Sequence, residues 1–239
     1  MDRIKKSFIH GIIASCMIAS MVLFGAAVMA NGDTVVITDF TSDELRRGAP
    51  PGWELKKSKG TPDLAIKKTD QGYVLHLKSD RSTSYGIAKE LKMPKGVYPF
   101  LNWKWKVVKL PAGGDVRKTD TDDQAIQIYI AFEATGWPAR LNTPIIGYIW
   151  DNECPKGTMV TSSRPLADKV RYIVIRDKTD TLEEWYAEKR NVFDDYKMLF
   201  PDIDGGALRN IHGISVYINS QHTKSEAESC LADVFFSKD

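Results

Sequence analysis

The chain of 239 residues contains no CxxC pair, no cluster of His and Cys at metal-ligand spacing, no GxSxG elbow and no P-loop. Zinc binding, dithiol redox chemistry, serine hydrolysis and phosphate cradling thus have no motif behind them, and neither a metal nor a cofactor is expected. Cysteine is scarce, at three, as is histidine, at four. An excess of one charge is missing too. The chain has 33 Lys and Arg against 31 Asp and Glu, and setting aside Arg3, Lys5, Lys6 and Asp2 leaves 30 of each. A chain without a basic excess has no electrostatic footprint for nucleic acid, which is not expected as a partner.

What is present begins with an apolar run over 8–28, preceded by Arg3, Lys5 and Lys6 and closed by Val28-Met29-Ala30. This is the pattern of an export signal at 1–30. About twenty apolar residues would also be long enough to span a bilayer as an uncleaved anchor, but Gly25, Ala26, Ala27 and Ala30 favour cleavage after Ala30. A periplasmic or secreted mature protein starting at Asn31 is expected, with no stable membrane insertion after cleavage. Two cysteines then remain, Cys154 and Cys230. In an oxidising compartment an even count permits a disulfide, and these two are expected to pair, the alternative being two unrelated buried thiols.

From 31 to 239 the pattern is one of short strands separated by Gly and Pro turns, as at Ala49-Pro50-Pro51-Gly52 and Pro111-Ala112-Gly113-Gly114. Strands are predicted over 34–40, 64–68, 73–79, 85–91, 100–108, 125–132, 144–150, 170–176, 211–218 and 231–236. No repeat or linker divides the chain. The expectation is one all-β domain over 31–239, an antiparallel β-sandwich of jelly-roll type with one short helix. The segment 181–200 has two readings. Thr181 and Glu184 stand at capping-box spacing ahead of a helical stripe, or a strand returns on 170–176 and Asn191 caps a short helix from Val192 to about Phe200.

Side chains alternate between the faces of a strand. In "LNWKWKV" Trp103 and Trp105 share a face with Leu101 and Val107, while Lys104 and Lys106 take the other. Burying the rings removes more apolar area from water than burying lysine stems, so the lysines face out. With Ile126, Ile128, Ile130 and Phe132 turned inward, Gln127 and Tyr129 face out. With Ile145 and Ile149 inward, Tyr148 and Trp150 face out. In 211–218, Ile214, Val216 and Ile218 leave Ser215 and Tyr217 outside. The face collected in this way, Lys104, Lys106, Gln127, Tyr129, Tyr148, Trp150 and Tyr217, offers rings for sugar C–H groups and donors for hydroxyls or carboxylates. Arg190 joins it if its strand bulges before Asn191; otherwise it falls on one face with Tyr186 and Glu188.

The run Asp120-Thr121-Asp122-Asp123 has the oxygens calcium prefers, but it lacks the Gly and Glu of an EF-hand. Asp39 and Asp233 are a second, weaker calcium pattern. Glycoside hydrolysis needs two carboxylates in one groove; Glu188 with Asp122 or Asp123 can be cast in those parts, without the alternating acidic pattern of jelly-roll glucanases.

The segments "LNWKWKVVKLP", Lys118 with Asp122-Asp123, and "EWYAEKRNVFDDY" resemble, in this order, the pattern of a secreted bacterial family known as domain of unknown function 3047. A late Asp-rich loop of that family is matched poorly by Asn219-Ser220-Gln221-His222-Thr223. The family is similar to carbohydrate-binding β-sandwiches, and "DF…GW" and "ADVFF" look like the first and last strands of such modules. The resemblance implies a jelly roll and a hairpin over 182–190, and no established activity. The expected function is non-catalytic binding of a carbohydrate or similar polar ligand by an exported protein, the alternative being a glycan-active hydrolase or lyase using carboxylates in the same groove.

Overall fold

The computed structural model describes residues 30–38 and 40–239; the expected signal up to residue 29, and Asp39, lie outside the described residues. Among those described, fourteen strands run in the order β1 (Ala30–Asn31), β2 (Thr34–Val36), β3 (Glu54–Lys59), β4 (Asp63–Thr69), β5 (Gly72–Ser79), β6 (Ser84–Met93), β7 (Phe100–Lys109), β8 (Ile126–Phe132), β9 (Ile145–Trp150), β10 (Met159–Thr161), β11 (Val170–Arg176), β12 (Tyr186–Asn191), β13 (Ile211–Asn219) and β14 (Ala227–Ser237). A one-turn helix α1 (Ala139–Asn142) and a two-turn helix α2 (Val192–Leu199) complete them. The strands form two sheets of seven. The first is ordered β12-β7-β14-β5-β4, with β2 and β1 continuing along the end of β14. The second is ordered β10-β11-β9-β8-β13-β6-β3. The pairing of β9 with β11 is parallel.

The two sheets bury a common core, so the fold is the all-β sandwich that the alternating strands predict. Leu101, Trp103, Trp105 and Val107 of β7 face Ile126, Ile128, Ile130 and Phe132 of β8 and Ile214, Val216 and Ile218 of β13, all buried. The indoles are the largest contributors. At about 25 cal/mol per Å² and roughly 150–250 Å² per ring, each adds on the order of 4–6 kcal/mol of transfer free energy.

Tyr148 and Trp150 are a correction. Both point into this core, where Tyr148 stacks on Trp103 with ring centroids 5.4 Å apart and Trp150 lies 5.8 Å from Trp105. Ile145 and Ile149 face out instead, into a second apolar cluster with Val116, Cys154, Tyr172 and Val174. The cause is visible in "IIGYIW", which has no polar position. A strand paired in parallel and covered on both sides reads as a continuous apolar run, and alternation cannot orient it.

For 181–200 the strand and short helix are observed, with a different partner. β12 pairs antiparallel with β7, in the first sheet, and not with 170–176. Asn191 caps α2 by accepting from the amides of Phe193 at 3.1 Å and Asp194 at 3.2 Å. The disulfide is a further correction. Cys154 and Cys230 are both free and buried. Cys154 belongs to the cluster outside the second sheet, whereas Cys230 packs with Val74 and Ala232 outside the first, so the whole sandwich separates them.

Candidate functional site

The outer face of the second sheet carries three tyrosines, the buried Tyr172 on β11 and, beyond β9, the half-buried Tyr129 on β8 and Tyr217 on β13. Their rings lie down over the sheet because glycines stand beside them. Gly147 on β9 pairs with both Tyr129 and Tyr172, and a Cβ there would come within 2.6 Å of the Tyr172 ring and 3.1 Å of the Tyr129 ring. Gly86 on β6 pairs with Tyr217, and a Cβ there would meet the Tyr217 ring at 2.6 Å. Strand-interior glycines weaken a strand and mark close approach; here they seat aromatic rings. Tyr129 meets its two neighbours edge-on, at 6.1 Å from Tyr172 and 5.8 Å from Tyr217. From β11 to β6 the strip spans four strand spacings, roughly 19 Å at ~4.8 Å each.

One end of the strip is bordered by a hydrogen-bonded polar network. The Tyr129 hydroxyl donates to Gln127 Oε1 at 2.8 Å, and Gln127 Nε2 donates to Asn219 Oδ1 at 3.0 Å and to Gln124 Oε1. Gln124 Nε2 donates in turn to Asp151 Oδ2 at 3.1 Å. Asp151 is buried and also accepts from the amides of Cys154 and Val116, at 2.7 and 2.9 Å. Burial pushes its carboxyl up to about 6, with those three donors pulling the other way.

Above this network sits Arg164, from the loop between β10 and β11. Its Nε donates to Asp122 Oδ2 at 2.5 Å and its Nη2 approaches His222 Nε2 at 3.3 Å. Gln221 Nε2 lies 3.2 Å from the same His222 nitrogen. Burial disfavours the Arg164 charge, but the Asp122 carboxylate, helped by the nearby Tyr172 and Tyr129, leaves its pKa raised. Asp123 Oδ2 accepts from the amides of His222 and Thr223, at 2.8 and 2.6 Å, and so fixes the 219–223 loop beside the strip. Although that loop departs from the family pattern, it supplies Asn219 and His222 here.

The expected face divides. Gln127 and Tyr129, with Tyr217, lie on this strip. Lys104 and Lys106 lie on the outer face of the first sheet, on the far side of the molecule, where Lys104 pairs with Asp233 at 2.9 Å. Tyr148 and Trp150 are in the core. Arg190 turns to the inner edge of β12, in line with Glu188 and Tyr186, and donates through Nε to Asp195 at 3.0 Å, the carboxylate that also accepts from the Tyr148 hydroxyl. These five therefore do not join Gln127 and Tyr129. The carboxylates cast for hydrolysis are not together either. Glu188 accepts from Trp105 Nε1 and Arg176 at the inner edge of the first sheet, while Asp122 and Asp123 stand at the end of the second. Among the described residues no three or more His, Cys, Asp or Glu side chains are grouped as a metal site. Tyr172, Arg164 and His222 were missed by sequence reasoning. For Tyr172 a signal existed, the glycine inside "IIGYIW"; for the two loop residues there was none.

A family model described as "Protein of unknown function (DUF3047)" matches residues 51–235. The chain belongs to this family. No curated protein matches the sequence. Among solved structures, a family 11 carbohydrate-binding module from Clostridium thermocellum, in complex with a beta-1,3-1,4-mixed-linked tetrasaccharide, is 12% identical at a TM-score of 0.45, over 89% of this chain and 97% of that one. The family 11 module of the cellulosomal cellulase Lic26A-Cel5E from the same organism is 12% identical at 0.42, over 80% and 90%. The glycoside hydrolase domain of Endo-D from Streptococcus pneumoniae R6 is 11% identical at 0.38, over 78% of this chain and 22% of that one. These are loose likenesses in the course of the chain, and what those proteins bind or cleave does not follow for this DUF3047 chain. No helix among the described residues is long and apolar enough to cross a membrane.

Proposed function

We infer that this DUF3047 protein is exported to the periplasm or the medium and binds a carbohydrate on the outer face of the second sheet, without catalysing a reaction on it. The observation that carries the reading is the row of Tyr172, Tyr129 and Tyr217 laid over Gly147 and Gly86, with amide and guanidinium groups at one end. Tyrosine faces cover the apolar C–H side of a sugar ring, and the partly exposed Arg164 and Gln221 offer the directional hydrogen bonds that hydroxyls need, while the buried Gln127 and Asn219 hold the Tyr129 hydroxyl in place. The half-buried rings of Tyr129 and Tyr217, met edge-on and backed by the buried Tyr172, lose little side-chain freedom on binding, which lowers the entropic cost of association.

The test is a glycan array read beside titration calorimetry. A neutral oligosaccharide found on the array is expected to bind the wild type and to bind Tyr217→Ala at least tenfold more weakly, with salt making little difference. If Tyr217→Ala and Arg164→Ala variants of unchanged thermal stability bind that oligosaccharide as the wild type does, the site lies elsewhere. Turnover of the same oligosaccharide would replace the binding function with an enzymatic one.

A further inference from the structure

The outer face of the first sheet is the part of the molecule that the carbohydrate reading leaves unused. One register row crosses it from Ala65 on β4 through His76 on β5 and Cys230 on β14 to Lys106 on β7. Trp185, just before β12, comes next, its ring 5.3 Å from Lys106 Nζ. Along the neighbouring row Lys67 pairs with Val74, and Lys104 pairs with Ala232. The middle of this outward face is therefore small and apolar, since Val74, Cys230 and Ala232 are buried with Trp185 packed against them. Lysines stand on both sides of it, about three strand spacings or roughly 14 Å apart.

Most charges here are matched. Lys104 is bound to Asp233, Lys78 lies 3.4 Å from Glu228, and Glu228 accepts from His76 Nε2 at 2.7 Å. Lys67 and Lys106 are the exceptions. Neither forms an ion pair among the described residues, yet both act on the Cys230 thiol from opposite sides, and Lys67 acts also on His76. The Glu228 carboxylate also acts on that thiol but is already engaged by His76 and Lys78, so the two ammonium groups flank one shallow floor with no ion-pair partner of their own among the described residues, a setting that an anion would complete. The indole beside them adds a flat apolar surface, and stacking of this kind distinguishes a sugar acid from a bare inorganic anion.

We propose that this face is a second binding site, for an acidic saccharide, in which Trp185 covers the sugar ring and Lys67 and Lys106 hold its carboxylate or sulfate. It is separate from the tyrosine strip and does not depend on it.

The probes are an oligogalacturonate, its methyl ester and a chondroitin sulfate oligosaccharide, titrated into the mature protein. At least one of the two acids is expected to bind, and the ester at least tenfold more weakly than oligogalacturonate if that is the acid bound. Binding should weaken as salt rises, because exposed charges are screened over about 8 Å at physiological ionic strength. Lys67→Ala and Lys106→Ala should each reduce affinity at least fivefold, and Trp185→Ala likewise, while Tyr217→Ala leaves it unchanged. Lys67 is exposed and Lys106 half-buried, and both stand outside the core, so the lysine variants keep the fold, which thermal melts check. The proposal is overturned if neither acid binds, if the lysine variants bind as the wild type does, or if inorganic sulfate competes as well as the saccharide. Loss of acid binding in Tyr217→Ala, with the lysine variants unaffected, would place the acid on the other face, overturning this site and leaving the tyrosine strip intact.

Discussion

Asp151 gives the sharpest link between the polar network and stability. Its folded pKa of about 6 exceeds the ordinary 3.8 because the side chain is buried. Well below pH 3.8 the carboxyl is protonated in both states and contributes nothing to the difference. As pH rises towards 6 the unfolded chain releases the proton first, so the folded state loses stability across that window and the loss is complete above it. At 1.36 kcal/mol per unit, a shift of roughly two units corresponds to about 3 kcal/mol. His76 slopes the other way, since burial lowers its pKa, and its neutral folded form is favoured as pH rises towards 6.5. Asp115 and Asp202, held at about 2 by Arg117 and Arg171, lose their contributions only below about pH 4. Comparison with Asp151→Asn isolates the one group. Urea unfolding from pH 3.5 to 7 should show the variant gaining about 3 kcal/mol relative to the wild type as pH rises. A pH-independent penalty is superimposed, because the new amide faces an N–H donor of Val116, Gln124 or Cys154. Parallel stability curves for the two proteins would refute the argument that Asp151 is a desolvated carboxyl.

Gly147→Ala should cost about 1–3 kcal/mol by overpacking and should weaken glycan binding as much as Tyr217→Ala, since its Cβ displaces the rings of Tyr172 and Tyr129; a destabilised variant with full affinity would detach those rings from the site. Trp103→Ala should cost about 3–5 kcal/mol in denaturant unfolding, with its contacts to Trp105 and Tyr148 lost, and a loss under 1 kcal/mol would show the core to be placed wrongly. Alkylation of the unfolded, unreduced mature protein, without Cys16, should add two labels, at Cys154 and Cys230. Mass spectrometry counts them, and a protein taking none would restore the disulfide.

Alternation was enough to find the core face of β7, β8 and β13. Wherever a strand held polar residues at every second position, as in β7 and in the segment around Gln127 and Tyr129, the inward set was legible because only one choice buries the apolar area. It failed in β9, where both faces are covered and Ile145 and Tyr148 compete on equal terms. Arg164 and His222 were beyond reach for a different reason. They reach the strip from loops, and their positions depend on Asp122 and Asp123, contacts of long sequence separation that no local pattern encodes.

The division of the expected face has a more general cause. Lys104, Lys106, Gln127 and Tyr129 all face outward, as their strands require, yet a sandwich has two outsides. Period two says which residues of one strand share a face, but it leaves open which sheet the strand joins. Strand order decides that, since β7 lies between β12 and β14 in the first sheet while β8 lies between β9 and β13 in the second. Pooling all outward residues therefore merged two surfaces of different chemistry, a tyrosine strip with amides and a lysine-flanked floor with a single indole. Once the sheets are separated, each surface makes a narrower demand on its ligand. The first should ignore salt and depend on Tyr217, and the second should depend on salt and on Lys67 and Lys106. A single ligand whose binding needed both Tyr217 and Lys106 would have to reach across the whole thickness of the sandwich, so that result would contradict the assignment of the strands to their sheets.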